Sequence, residues 1–329
     1  MENDYKPQID NLLLKRQYNP HYTPSPDDII MSIGGKKTGS VENFVTFSGL
    51  PKTGKSSFIA ALVASAFLPC DVFTLKIDLP KDRKKICYFD TESSDYDFYR
   101  QISKIKEFSE LNQLPDTFNA YQVREDSSPS IRRMIERYLE LNPECAVIII
   151  DGLLDLLTNY NDERESSLLA KWLKKVTKIF KVLVITVLHQ SKSNLSTTGH
   201  IGAASDRFAQ STLDIVKDRD KNTFVLSSRF MRSDSDFEPI TLMNFNGIFQ
   251  QVQNDSNKPT LIKKASDLDE METRRLCSLI VTIPMDYNDI VDEIIERTAN
   301  GKTFAKNLVK IWISKSLIIK DHTNKYKTR

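Results

Sequence analysis

The sequence predicts an α/β protein: a doubly wound, mostly parallel sheet with an antiparallel edge, followed by a small helical domain closed by a hairpin. Three observations carry this. Unbroken β-branched runs such as VIII (147–150) and VLVITV (182–187) are what strands buried on both faces look like. Amphipathic helical segments alternate with these runs, the order of repeated βαβ units. Beyond residue 270 the pattern changes to short helices and a basic C-terminal stretch.

Residues 1–40 hold Pro7, Pro20, Pro24 and Pro26 and few periodic apolar positions, so an extended arm is expected there. The α/β core spans 41–252. Its strands are expected at 43–49, 85–91, 117–123, 145–151, 181–188, 212–218, 222–228 and 238–245, and its helices at 55–67, 97–111, 128–141 and 163–180. No long helix separates the last three strands, which predicts antiparallel pairing at one edge of the sheet. Residues 253–269 are polar and read as a linker. Within 270–329, helices are expected at 270–281 and 288–298 with Pro284 between them. A third carries Phe304, Leu308, Ile311 and Trp312 at helical spacing, and then come strand-like SLIIKD, a turn and YKT. Helices followed by a β-hairpin in this order are the layout of a winged helix-turn-helix domain.

Composition narrows the function classes. Hydrophobic residues make up 40% of the 329 residues and charged ones 27%, which suits a globular chain with a sizeable core. No run approaches 18 apolar residues and the N-terminus lacks a basic-then-apolar signal pattern, so a cytoplasmic protein without membrane contact is expected. Cys70, Cys87, Cys145 and Cys277 are scattered, which argues against both a zinc site and a disulfide framework. The net charge of +2 is unevenly spread. Residues 301–329 hold eight Lys or Arg against one Asp, net +7, which leaves −5 for the rest. That asymmetry points to a polyanionic partner.

The chemistry starts at Gly49-Leu50-Pro51-Lys52-Thr53-Gly54-Lys55-Ser56-Ser57. Two glycines five apart and a Lys-Ser pair, after a strand and at the start of a helix, form a phosphate-binding loop. Backbone N–H groups and the helix N-terminus face the phosphates, Lys55 reaches the β- and γ-oxygens, and Ser56 ligates Mg²⁺. Asp151, at the end of CAVIIID, is placed to hold the same metal ion through water. Glu92 ends YFDTE one strand after the loop and is the candidate general base for the water attacking the γ-phosphate; Asp90 is the competitor. His189 and Gln190 follow KVLVITVL and precede a long loop rich in small residues, 191–205. A polar side chain there can contact the γ-phosphate and report it to that loop. Arg207, Lys217, Arg219, Arg229 and Arg232 crowd the edge-strand region, where one of them can serve a neighbouring subunit as an arginine finger.

GLPKTGKSS, YFDTE, VIIIDGLLDL and ITVLHQSK, in that order, resemble the RecA-type ATPase core shared by RecA, DnaB-like replicative helicases and RepA-like helicases of phages, plasmids and mobile elements. The resemblance covers about residues 41–250 and is closest to the RepA-like group. It implies a RecA-like fold, ATP and Mg²⁺ as ligands, and a homo-oligomer, a hexameric ring or filament, with ATP between subunits. Glu92 is implied as the catalytic glutamate and Gln190 or His189 as the γ-phosphate sensor. Residues 191–205, among them Lys192, Ser193 and Asn194, are implied to contact single-stranded DNA. Lys217-x-Arg219 resembles the finger pair of DnaB-like proteins, while Arg229 and Arg232 lie near the finger position of RepA-like ones.

In the C-terminal segment, Lys306, Asn307, Lys310 and Lys315 lie on or near the expected recognition helix, and Lys320, Lys325, Lys327 and Arg329 on the wing. Such a helix enters the major groove while the flanking cations hold phosphate. Two functions follow. One is an ATP-driven hexameric DNA helicase or translocase serving replication or mobilisation of a mobile element. The other is a DNA-binding ATPase switch, an initiator, loader or regulator whose nucleotide state controls assembly on duplex without unwinding it. A nucleotide kinase is a remoter third, since it would leave the basic segment without a use.

Overall fold

The computed structural model describes residues 5–21, 28–190, 199–218, 221–245, 248–252, 265, 268, 273–274, 276–277, 280–281, 283–298, 302–321 and 323–328. It is a mixed α/β structure with a large, mostly parallel sheet and, among the described residues, eight α-helices. Two compact units divide the chain: Met1–Val216 with Ser227–Glu238, and Lys217–Leu226 with Pro239–Arg329.

The first unit opens with helix α1 (Tyr5–Arg16) and a hairpin of β1 (Ile29–Ile33) and β2 (Lys36–Ser40), where an extended arm was expected. Pro7 misleads here: in the first helical turn its missing N–H removes no hydrogen bond, so it starts the helix rather than breaking it. The hairpin pairs with the three-residue strand β4 (Leu75–Ile77) in a separate small sheet, order β2-β1-β4.

Strands β3 (Phe44–Gly49), β5 (Lys85–Asp90), β6 (Phe118–Gln122), β7 (Cys145–Asp151), β8 (Leu183–His189) and β9 (Ser211–Asp218) run parallel in the order β9-β3-β8-β7-β5-β6. Both faces of the inner strands β3, β5, β7 and β8 are buried, which explains the unbroken apolar runs. Phe44, Cys87, Phe89, Ile148, Ile150, Val184 and Leu188 face a core shared with α4 (Ser128–Leu141), α5 (Glu163–Phe180) and α6 (Gly199–Phe208). Val45, Phe47, Tyr88, Val147, Ile149 and Ile185 alternate with them and are buried on the other face. Beyond its polar first turn, helix α2 (Lys55–Ser65) is a buried apolar run, Phe58–Ala64, and it packs against β3, β4 and α3 (Asp95–Phe108). At α3 and α5 the ends were written locally: Ser94 and Asp162 accept hydrogen bonds from the backbone N–H of Asp97 and Glu165.

The sheet continues antiparallel through β10 (Thr223–Met231), β11 (Ile240–Phe245) and β12 (Ile248–Val252), the predicted edge with one more strand than expected. The linker prediction at 253–269 falls almost wholly outside the described residues. Of the helix expected at 270–281, Thr273, Arg274, Leu276, Cys277 and Ile280 are described and helical. Helices α7 (Tyr287–Thr298) and α8 (Lys302–Ser314) follow, then the hairpin β13 (Ile318–Lys320) and β14 (Tyr326–Thr328). Their shared core centres on Trp312, fully buried with Leu308, Phe304, Ile290, Ile294 and Cys277, and its indole N–H donates to the Thr273 carbonyl at 3.1 Å. Among the described residues no helix is long and apolar enough to cross a membrane.

Candidate functional site

Parallel strands in register deliver their last residues to one edge of the sheet. Gly49 lies opposite His189, and Asp90 opposite Asp151, so the ends of β3, β8, β5 and β7 meet where α/β sheets bind ligands.

The candidate phosphate-binding loop, residues 49–56, joins β3 to α2. Lys52 (φ 66°) and Gly54 (φ 83°) are both left-handed, the alternation that turns successive N–H groups into an anion-binding concavity. Gly49 has to be glycine, because a Cβ there would lie 2.4 Å from the Ile215 carbonyl oxygen and 2.8 Å from Thr53 Oγ1. The Lys55 ammonium donates to the Gly49 and Leu50 carbonyls at 3.0 and 2.9 Å and to His189 Nδ1 at 3.0 Å. An ammonium only donates, so Nδ1 is the acceptor and Nε2 carries the ring proton. That proton points to Glu92 Oε2, 3.0 Å away. Lys55, neutral His189 and Glu92 form one hydrogen-bonded chain.

Burial pulls the Lys55 pKa down to about 8, against the attraction of Asp151 and Glu92. The His189 hydrogen bond holds Glu92 below the usual carboxylate range, outweighing its partial burial. Asp151 goes the other way: burial lifts it to about 6, opposed by a hydrogen bond from Tyr88 and helped by the nearby charges of Asp90 and Glu92. Tyr88 Oη donates to Asp151 Oδ2.

Strand β5 ends at Asp90, so Glu92 sits in the following turn rather than on the strand. The turn separates the two competing carboxylates. Asp90 is 1% exposed and its Oδ1 accepts from the backbone N–H of Glu92 and Ser93 at 3.0 and 2.8 Å, which fixes the turn; Glu92 projects to His189. Asp90 Oδ2 is buried with no hydrogen-bond partner.

Ser56 is exposed at the start of α2, and its carbonyl accepts from Gln101 Nε2 at 2.7 Å. Ser57 is buried and its Oγ accepts from Lys104 on α3 at 3.1 Å, so it serves helix packing. The donor set fits Mg²⁺: the candidates Ser56 and Asp151 offer oxygen alone, and the orphaned Asp90 oxygen beside Asp151 marks a deficit of positive charge. Among the described residues no three His, Cys, Asp or Glu side chains are grouped to hold a metal unaided. Mg²⁺ takes only one or two protein carboxylates and completes its shell with phosphate and water.

Gln190 and His189 are adjacent but point apart. Gln190 is 7% exposed, and its Nε2 donates to Asp214 Oδ1 at 2.9 Å and Ser48 Oγ at 3.2 Å. Of the two sensor candidates, His189 is the one beside Lys55. Helix α6 occupies residues 199–205 of the long loop expected at 191–205; the remainder of it, with Lys192, Ser193 and Asn194, lies outside the described residues, as does Arg219.

Arg229 is not a free cation. Its Nε and Nη2 grip the two oxygens of Asp214, each at 2.8 Å, and Nη1 reaches Asp206 at 3.4 Å. Burial works against its charge, but these carboxylates outweigh burial and raise its pKa. Arg232 donates to the Arg207 carbonyl and is exposed, as is Arg207. Lys217 lies 4.8 Å from the centre of the Phe224 ring.

Several site residues escaped the sequence reading. Thr91 Oγ1 donates to Asp155 at 2.6 Å, and Gly152 (φ 109°) gives them room, since a Cβ there would lie 2.0 Å from Thr91 Oγ1. An Asp-Gly pair after an apolar strand was the available signal. For Asp214 the signal was an acid inside the strand TLDIVKD.

In the second unit, Lys302, Lys306, Asn307 and Lys310 are exposed along α8, and Lys315 lies in the turn after it. Lys320 donates to Asn324 Oδ1 at 2.8 Å and stacks on Tyr326, while Lys325 and Lys327 are exposed.

No protein-family model matches the chain, and no curated protein matches it either.

Proposed function

We propose that the protein is a RecA-type, ATP-hydrolysing DNA motor that works as a homo-oligomer, a hexameric helicase or translocase of a phage, plasmid or mobile element, with its C-terminal winged helix on duplex DNA. The observation that carries the catalytic half is the chain Lys55–His189–Glu92 at the mouth of a phosphate-binding loop. Glu92, ionised and aimed by His189, is the base that takes a proton from the water attacking the γ-phosphorus, as the bond to the ADP oxygen breaks. Lys55 has three carbonyl or imidazole acceptors to exchange for phosphate oxygens, which are stronger partners for an ammonium. Ser56 and Asp151 would hold Mg²⁺, whose charge offsets that of the β- and γ-phosphates.

The DNA half rests on the +7 charge of 301–329 and on α8, where Lys302, Lys306 and Lys310 recur every four residues on an exposed stripe opposite Phe304, Leu308 and Trp312.

The test is strand separation of forked DNA with ATP and Mg²⁺, beside ATP hydrolysis measured in the same preparation. Lys55→Ala and Glu92→Gln should each abolish hydrolysis and unwinding. Hydrolysis surviving in Lys55→Ala would overturn the site. Hydrolysis without unwinding, with duplex affinity that changes on adding ATP, would replace the motor with the switch.

A further inference from the structure

We propose that Arg229 is a positioning residue for the nucleotide site of its own chain, acting through Asp214, rather than a finger offered to a neighbour. The inference rests on the ATPase reading above and names residues that complete its site. Asp214 stands opposite Ser48 across the β3–β9 pairing, one residue before Gly49. Its Oδ1 accepts from Ser48 Oγ at 2.5 Å and Gln190 Nε2 at 2.9 Å and forms an ion pair with Arg229 Nη2 at 2.8 Å, while Oδ2 accepts from Arg229 Nε at 2.8 Å. One carboxylate therefore ties together the residue before the phosphate-binding loop, the residue after His189 and the arginine of β10.

The tie bears on geometry that the chemistry needs. Gln190 N–H also donates to the Gly49 carbonyl at 3.0 Å, and that same carbonyl holds Lys55. Gly49 touches β9 at the Ile215 carbonyl, so β9 cannot shift without moving the loop. Held this way, the end of β8 keeps His189 within reach of both Lys55 and Glu92. Arg229 neutralises Asp214 at the centre of the tie. Its guanidinium also reaches Asp206 on α6, so the clamp gathers β3, β8, β9, β10 and α6. With Nε, Nη1 and Nη2 all committed and the side chain 19% exposed, little of the guanidinium is left to reach another subunit.

A lysine at this position keeps the charge but loses the fork. Arg229→Lys, Asp214→Asn and the double variant are compared with the wild type for equilibrium binding of a fluorescent ATP analogue and for hydrolysis, with circular dichroism reporting folding. Arg229→Lys and Asp214→Asn should each weaken analogue binding roughly 10- to 100-fold, as small misplacements of a site do. The double variant should be no weaker than the weaker single. Mixing Arg229→Lys with Lys55→Ala protein should restore no hydrolysis, because each chain then carries a broken site of its own. Wild-type affinity in Arg229→Lys, or hydrolysis restored by mixing, would overturn the proposal and make Arg229 a finger in trans. Should Arg229→Lys fail to fold, Ser48→Ala and Gln190→Leu test the same tie; unchanged analogue affinity in both would overturn it. Loss of binding in Lys55→Ala is the separate control on the ATPase reading.

Discussion

Lys55 and Asp151 are pushed in opposite directions by burial, and that sets a pH window for the site. The ammonium of Lys55 is lost as pH rises through about 8, well below the 10.5 of an ordinary lysine. The carboxylate of Asp151 gains a proton as pH falls through about 6. The unfolded chain binds more protons at Lys55 between about 8 and 10.5, so the penalty of burying that charge fades as pH climbs through this range. At Asp151 the folded chain binds more protons, so its contribution is fully present below 3.8 and is lost as pH rises through about 6. The proposed ATP hydrolysis needs Lys55 charged and Asp151 ionised, which predicts a bell for kcat/KM with limbs near 6 and 8. Glu92 is not the acid limb, since His189 holds it below the ordinary carboxylate range. Phosphate oxygens stabilise the ammonium, so the alkaline limb of kcat should lie higher than that of kcat/KM. Initial rates of ATP hydrolysis across pH 5 to 10 at saturating Mg²⁺ check this; coincident alkaline limbs would mean that Lys55 does not meet the phosphates.

Among the elements, those buried on both faces were legible in the sequence, because a strand such as VLVITV has no polar face to confuse its reading. Helix α5 was legible to the residue, with Asp162 capping one end and left-handed Lys181 closing the other. The hairpin β1–β2 was not. KKTGS is polar, and its burial comes from contacts that no local pattern encodes, such as Leu183 against Gly39. In the site, Lys55, Glu92, Asp151 and His189 were legible because strand ends in register must converge. The divergence of His189 and Gln190 was not, since two adjacent polar residues carry no record of which side chain faces which neighbour. Helix α8 adds a test at this scale. If its exposed lysines bind phosphate, Lys306→Ala and Lys310→Ala should each weaken duplex binding irrespective of sequence and shallow the slope of log K against log salt by about 0.9. Titrations of labelled duplex between low and moderate salt measure it. An unchanged slope in the double variant would take α8 off the DNA.

At the scale of the whole molecule, two compact units each hold one of the chain's two tryptophans. Trp172 packs on the core beneath α5 and its indole donates to Glu136 at 2.6 Å, while Trp312 is the buried centre of the C-terminal core. The proposed nucleotide site lies wholly in the first unit, so on that proposal ATP binding would add free energy to that unit's folded state. At a concentration 100 times the dissociation constant this amounts to about 2.7 kcal/mol. Urea titration followed by tryptophan fluorescence can resolve the two, using Trp312→Phe to leave Trp172 as sole reporter and Trp172→Phe to leave Trp312. A nonhydrolysable ATP analogue with Mg²⁺ should move the Trp172 transition to higher urea and leave the Trp312 transition in place. At a slope of about 1–3 kcal/mol per molar urea, the expected displacement is on the order of 1–3 M. Both transitions moving together would mean that the chain unfolds as one cooperative body, and that nucleotide binding in the first unit is felt by the basic helix in the second. If α8 binds DNA as proposed, the first outcome would leave its grip indifferent to the nucleotide and the second would couple that grip to ATP binding.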